Sequence, residues 1–369
     1  MADWLKTSPL RKTPGAAHEE TWTHGARAYP VRVRLGKPMD ILALKANMTA
    51  AFEEQLASIR SSRKALYAAA EVEEVSACPL CGALSSTGEP ALTIYGARYQ
   101  RCAACTHHFV VRRPTKAALE RFYAKDAHYA ATYADKKTLE TRVRQVAEPK
   151  ARWVIEEFER LHGRKPRSIL DVGAGSGHFV FACRQLGLEA EGLELSESGR
   201  AFCQANFGIE LGAQDFTDKP EVFAGVDVVT FWGVIEHVPE PMAVLRAARR
   251  ALSGPETMVV AAVPRWDALS TGVQSQFPET VARHLDPLGH INCFTDESLA
   301  TAFETAGFAP AAAWYFGMDA YELVMQLSYL LKKGDDSPLA ALGRFIPALQ
   351  SVVDQGQLSD EIALAGRPF

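Results

Sequence analysis

The chain has 369 residues, 47% of them hydrophobic and 23% charged, an ordinary globular composition with room for two or three domains. Its net charge of −4 excludes a general attraction to nucleic acid or anionic membrane, so either contact would need a local basic patch. No apolar run approaches the ~20 residues of a membrane span, and the first residues lack the apolar core of a signal peptide, so neither membrane insertion nor export is expected and the setting reads as cytoplasmic.

Residues 1–40 hold Pro9, Pro14, Pro30 and Pro38 and little apolar periodicity, and residues 1–37 carry seven Lys/Arg against three Asp/Glu. They read as a tail or strap over the body, with a docking segment for an anionic partner as the sharper alternative. Residues 41–72 read as a helix whose Met48, Phe52, Leu56 and Ile59 form a stripe for packing on a neighbouring domain or subunit. Residues 1–74 are thus expected to be an N-terminal extension and helix, and a homodimer stays open.

Residues 75–115 contain Cys78-Pro-Leu-Cys81 and Cys102-Ala-Ala-Cys105, a C-x2-C-x20-C-x2-C pattern. Two such knuckles turn four thiolates inward, a closed tetrahedral set suited to a structural zinc ion. Leu92, Ile94 and Tyr99 suggest short strands between them, giving a small zinc-ribbon-like module. His107 and His108 follow and read as surface or supporting histidines, with spare ligands as the alternative. Cys183, Cys203 and Cys293 are scattered and read as buried thiols.

Residues 116–165 read as a helical linker or lid. Tyr123, Tyr129 and Tyr133, with Phe122 and His128, suggest either a pocket wall or ordinary lid packing. From 166 to 369 strands and helices alternate: strands at 168–172, 189–194, 209–212, 226–231, 257–263 and 309–316, a closing strand near 361, and helices at 178–187, 197–207, 242–252 and 297–306. Residues 320–358 read as a helical insertion. The fold class is α/β, a doubly wound sheet, in which ligands bind past the C-terminal strand ends.

Those strand ends carry the informative residues. Asp171-Val-Gly173-Ala-Gly175-Ser-Gly177 is a glycine turn between a strand and a helix, and Glu194 ends the second strand, 23 residues after Asp171. A carboxylate there accepts both hydroxyls of a ribose, in dinucleotide and S-adenosylmethionine sites alike. The glycine spacing is not the G-x-G-x-x-G that brings a pyrophosphate to a helix, and a carboxylate beside a pyrophosphate would repel it. Two histidines are placed to remove a proton: His237 beside Glu236, which would orient its ring and raise its basicity, and His290 in the loop-rich segment 265–295.

With Asp215-Phe216 and Val229-Thr-Phe-Trp-Gly-Val-Ile-Glu-His-Val238, the chain from about 150 to 369 resembles the class I S-adenosylmethionine-dependent methyltransferases. The resemblance implies a seven-stranded Rossmann-like sheet whose last strand is antiparallel. It implies that Asp171, Gly173, Ala174, Gly175 and Gly177 hold the methionine end and Glu194 the ribose. Asp215 would face the adenine amino group and Phe216 the ring, with Leu195, Trp232 and Gly233 also on the cofactor. Gly289-His290-Ile-Asn-Cys-Phe294, Glu297-Ser-Leu and Ala306-Gly-Phe308 look like a subgroup acting on small molecules. Trp232-Gly-Val-Ile-Glu-His replaces the Asn/Asp-Pro-Pro-aromatic motif of DNA amino-methylating enzymes.

The zinc knuckles ahead of such a domain are similar to the sugar C-methyltransferases, although those carry a further α/β domain and this chain has 77 residues before its first cysteine. The expectation is methyl transfer to a saccharide, nucleotide-sugar or secondary metabolite, without nucleic acid. Two alternatives stand beside it. One is a module-guided methyltransferase of RNA or protein, resting on Arg98, Arg101, Arg112, Arg113 and Lys116 near the knuckles; the other is a non-catalytic cofactor-binding scaffold.

Overall fold

The computed structural model describes residues 4–8, 16–49, 52–68, 71–115, 117–118, 138–278, 284–331 and 338–369. In chain order the strands are β1 Trp4–Thr7, β2 His18–His24, β3 Arg27–Leu35, β4 Val72–Glu74, β5 Glu89–Ile94, β6 Ala97–Arg101, β7 His108–Val110, β8 Arg112–Pro114, β9 Ser168–Val172 and β10 Glu189–Leu193. They continue with β11 Val228–Trp232, β12 Met258–Pro264, β13 Asn292–Cys293, β14 Phe308–Phe316 and β15 Glu361–Pro368.

The main sheet runs β1-β2-β3-β14-β15-β12-β11-β9-β10. Strands β9 to β12 are parallel to one another, and β15 is antiparallel to both β12 and β14, as expected for the closing strand. Alternate residues of the central strands feed two cores. Leu170, Val229, Phe231 and Val259 pack with the helices Pro241–Ala251 and Asp296–Thr305. Ile169, Val228, Val260 and Ala262 pack on the other face with Glu148–His162, His178–Gln185 and Glu197–Phe207. Helices therefore cover both faces, and β12 is buried along its whole length, which is why it reads as an unbroken apolar run.

The seven-strand expectation is corrected in two places. The third strand near 209–212 is reduced to a single bridge, Leu193 to Gly212. Nine described strands are reached because residues 4–7 and 18–35 are not a strap: β1, β2 and β3 form an antiparallel meander, and β3 joins β14 in parallel register from Arg32 opposite Ala312. Trp22, Val31 and Val33 are wholly buried, so this meander extends the sheet and its core. The segment 41–72 is two helices, Ile41–Thr49 and Phe52–Ala68, then β4. Ile59 packs beside Tyr67 and Ile94, while the side chains of Met48, Phe52 and Leu56 lie outside those described.

The four-cysteine segment forms a second sheet, β13-β7-β6-β5, whose edge strand β13 comes from the loop-rich segment 265–295. Cys78, Cys102 and Cys105 belong to the same core as β9 and β11, so this module is built onto the main domain. Residues 112–114 are strand, and Leu139–His162 is helical through a π-helical turn at Val143–Ala147. Phe122, Tyr123, His128, Tyr129 and Tyr133 lie outside the described residues. The expected insertion is helical, at Asp319–Leu331, Pro338–Leu342 and Ile346–Gln355. Among the described residues no helix is long and apolar enough to cross a membrane.

Candidate functional site

Parallel β9, β10, β11 and β12 end on one edge of the sheet, which brings the glycine turn, Glu194 and the 232–238 segment together. The turn is bent as its glycines permit: φ is +74° at Gly173, +55° at Gly175 and +76° at Gly177. A methyl group added at Gly175 would meet open space, whereas one at Gly177 would strike Cys203 Sγ at 2.1 Å. Gly175 therefore presents bare backbone outward and Gly177 packs inward. Gly177 caps the helix His178–Gln185 without a side-chain hydrogen bond, and Ala174 packs at the edge of the second core.

Glu194 braces this turn. Its Oε2 accepts the Gly175 amide and its Oε1 the Ser196 amide, both at 2.7 Å. Each oxygen keeps a further lone pair for a ligand hydroxyl. Beside it Leu195 is 66% exposed, an apolar side chain standing free at the rim. Asp171 is buried and accepts the Thr230 hydroxyl at 2.7 Å; burial pushes its carboxyl up to about 7. Asp215 is exposed, and its Oδ1 caps its own turn by accepting the Thr217 amide and hydroxyl at 2.8 and 2.7 Å. Phe216 is a core residue, with ring centroids 5.9 Å from Phe231 and 6.1 Å from Phe223.

At the end of β11, Trp232 is half-buried, its Nε1 has no hydrogen-bond partner among the described residues, and Gly233 turns the chain at φ +73°. Glu236 is buried with an unpartnered Oε2, and burial pushes its carboxyl up to about 8. His237 Nε2 lies 3.6 Å from Glu236 Oε1, and its ring centroid is 5.1 Å from that of His290. His237 keeps a side chain that is 36% exposed, and the protein packed around it with the neighbouring His290 holds its ring below its ordinary value. Glu236 is thus the group whose affinity for a proton is raised, and that of His237 is lowered. His290 donates from Nδ1 to the His284 carbonyl at 2.5 Å, which leaves the ring's lone pair on Nε2.

Two residues at this edge were given no role from the sequence, although Asn292 lies within the Gly289–Phe294 motif. Lys150 places its Nζ 4.4 Å over the Trp232 ring and 3.8 Å from Glu361. On an amphipathic helix such a lysine reads as solvent-facing. Asn292, wholly buried, donates to the Val238 carbonyl at 2.7 Å.

The four cysteine sulfurs lie within 4.8 Å of one another, with Cys78 to Cys105 and Cys81 to Cys102 both at 3.6 Å. A zinc–sulfur bond of ~2.3 Å in a tetrahedron separates the sulfurs by roughly 3.8 Å, so the donor set and spacing fit that ion. His107 and His108 are buried and are not surface histidines: His107 faces Asn292, and His108 stacks 4.0 Å from Trp266. The basic residues near the knuckles are matched by carboxylates. Because β4 pairs with β8, Glu73 meets Arg113 at 2.8 Å and Glu74 meets Arg112 at 3.5 Å. Glu74 also meets Arg98 at 3.6 Å, and Glu89 meets Arg101 at 3.8 Å, while Lys116 lies outside the described residues.

Residues 142–313 match the family model described as a methyltransferase domain. It is 34% identical over 105 residues to a ubiquinone biosynthesis O-methyltransferase of Pseudomonas entomophila, covering 26% of this chain and 43% of the relative. It is 32% identical over 102 residues to the protein of that name in Bordetella avium, covering 26% and 41%. The chain thus spans about two fifths of the length of these relatives. Among solved structures, a methyltransferase of Archaeoglobus fulgidus described as SAM-dependent aligns with 18% identity and a TM-score of 0.40, over 63% of this chain and 100% of that one.

Proposed function

We propose that the protein transfers a methyl group from S-adenosylmethionine to a small-molecule acceptor, a saccharide, nucleotide-sugar or secondary metabolite. The observation that carries this reading is Glu194, which accepts one backbone amide of the glycine turn and that of Ser196 while keeping lone pairs for a ribose. The bare Gly175 backbone on one side and exposed Leu195 on the other fit the two ends of an adenosyl-methionine.

When bound, the cofactor supplies a methyl group already activated on a sulfonium. In this reading Asp171, Gly173, Ala174, Gly175 and Gly177 hold the methionine end and Glu194 the ribose. Leu195 and Asp215 border the adenine, with Phe216 forming the floor from within the core. Trp232 and Gly233 close the side toward the acceptor. What remains for the protein is alignment and removal of a proton. Glu236, His237 and His290 are the proton-handling groups, and Glu236 takes the proton only in its ionised form, the minor one below about pH 8. The four cysteines hold a structural zinc ion that takes no part in the transfer.

Calorimetry with S-adenosylhomocysteine, followed by transfer of a labelled methyl group to extracted metabolites, tests the reading. Micromolar binding with a labelled small molecule supports it. Binding without transfer to any small molecule favours the scaffold, and labelled RNA or protein favours the module-guided alternative, to which the neutralised arginines lend nothing. Absence of binding removes the reading.

A further inference from the structure

The described contacts join the four-cysteine module to the Glu236–His237 turn. His107 sits two residues past Cys105, and its backbone carbonyl accepts the Cys102 amide at 2.8 Å. Its Nε2 donates to Asn292 Oδ1 at 3.1 Å. The direction is fixed by the other end of the amide, where Nδ2 donates to the Val238 carbonyl at 2.7 Å. The Asn292 backbone amide donates to the Glu236 carbonyl at 3.1 Å. One buried residue thus clasps the chain on both sides of His237. The same residue is held in register with the module, because Asn292 pairs with Phe109 and Cys293 with His108. On the far side of the ring, Tyr99 of β6 donates to the His290 carbonyl at 3.0 Å and Val110 donates to Ile291 at 3.0 Å. No comparable link runs from the module to the glycine turn among the described residues.

We propose that Asn292 is a positioning residue that fixes the Glu236–His237 turn relative to the four-cysteine module, so that the module shapes the acceptor side of the site and leaves the cofactor side alone. This rests on the reading of Glu236 and His237 as the proton-handling groups. It gives the module a task within the domain. Asn292 and His107 are themselves wholly buried, so the bond between them is not readily replaced by one to water.

The experiment uses the full chain as Asn292→Ala, His107→Ala and His107→Gln. Glutamine keeps an N–H donor for Asn292 Oδ1, and His107→Ala leaves Asn292 in place should Asn292→Ala fail to fold. Three quantities are read: hydrogen exchange of the His237 amide, the pH midpoint of the His237 ring resonance, and S-adenosylhomocysteine affinity by calorimetry. In both alanine variants the His237 amide, which donates to Val234 at 3.0 Å, is expected to exchange about tenfold faster or more. The ring midpoint shifts from its wild-type value, because the spacing of the ring to Glu236 and His290 is no longer held. Affinity and exchange at Gly173–Gly177 stay within about twofold, and His107→Gln restores the wild-type pattern. A His237 amide and ring that do not respond in a folded alanine variant overturn the proposal. So does loosening that spreads equally to the glycine turn. Should the wild type bind no S-adenosylhomocysteine, the methyltransferase reading fails, while the exchange data still decide whether Asn292 couples module and turn.

Discussion

Glu194 and Gly175 are joined across the strand edge by a hydrogen bond of 2.7 Å, from a backbone amide whose Cα faces open space. Glu194→Ala removes this brace and the one to Ser196, and S-adenosylhomocysteine affinity is expected to fall by ~10-fold or more, since each charged hydrogen bond contributes about 1.5–3 kcal/mol. Glu194→Gln, with one acceptor oxygen in place of two, is expected to fall between. Calorimetry reads both, and unchanged affinity in the alanine variant refutes the ribose assignment.

The glycines separate structure from binding. Gly177→Ala places a methyl group 2.1 Å from Cys203 Sγ in a left-handed backbone, and is expected to cost about 2–3 kcal/mol of stability. Gly175→Ala meets no atom and is expected to cost only about 1 kcal/mol of stability, with a larger loss in cofactor affinity. Urea unfolding and calorimetry on the two variants check the contrast; equal stability losses would contradict it.

The wild-type protein is expected to carry about one zinc per chain by elemental analysis, and Cys81→Ser to lose it. With the ion gone the β5–β7 sheet loosens, because Cys78, Cys102 and Cys105 sit in the shared core. A metal-free wild type of undiminished thermal stability would refute the structural zinc site.

Two buried carboxyls give stability a definite slope with pH. Asp171 is raised from 3.8 to about 7 and Glu236 from 4.5 to about 8. Between those limits the folded state binds more protons than the unfolded, so their contribution is complete at acid pH and is lost as pH rises toward 7 to 8. The upper bound is about 1.4 kcal/mol per unit of pH for each group. Glu236→Gln and Asp171→Asn are expected to flatten the decline in melting temperature between pH 5 and 8. His237 acts in the opposite sense: its lowered value takes stability away as pH falls below 6.5. Parallel wild-type and variant curves would show that neither carboxyl is buried as described.

Much of the main sheet was legible because parallel strands covered on both faces leave apolar runs such as Met258–Val263, and the glycine turn and Glu194 follow directly from the strand ends. The first strands were missed for a physical reason. Tyr29, Val31 and Val33 do alternate, but Pro30 argued against a sheet interior. Pro30 is tolerated because it pairs with Thr21 on one side only, and the β14 register begins two residues later at Arg32. The proton affinities of Glu236 and His237 could not be read because spacing says which groups are adjacent and nothing about which is desolvated. Asn292 stood within the Gly289–Phe294 motif, but its role was unreadable because its hydrogen bonds reach residues 54 to 185 positions away.

The pairing of β3 with β14 has a consequence for how the molecule is made. Arg32 finds its partner Ala312 280 residues further along the chain, and Phe109 waits in the same way for Asn292. During translation at ~5–20 residues per second, the meander and the cysteine sheet each expose an unsatisfied strand edge for roughly ten seconds to a minute. Folding here is governed by long-range closure, which is slow and leaves edges open to mispairing. Slower elongation or lower temperature during expression, which lengthen or protect that interval, should change the yield of folded protein more than they would for a chain whose sheet closes locally.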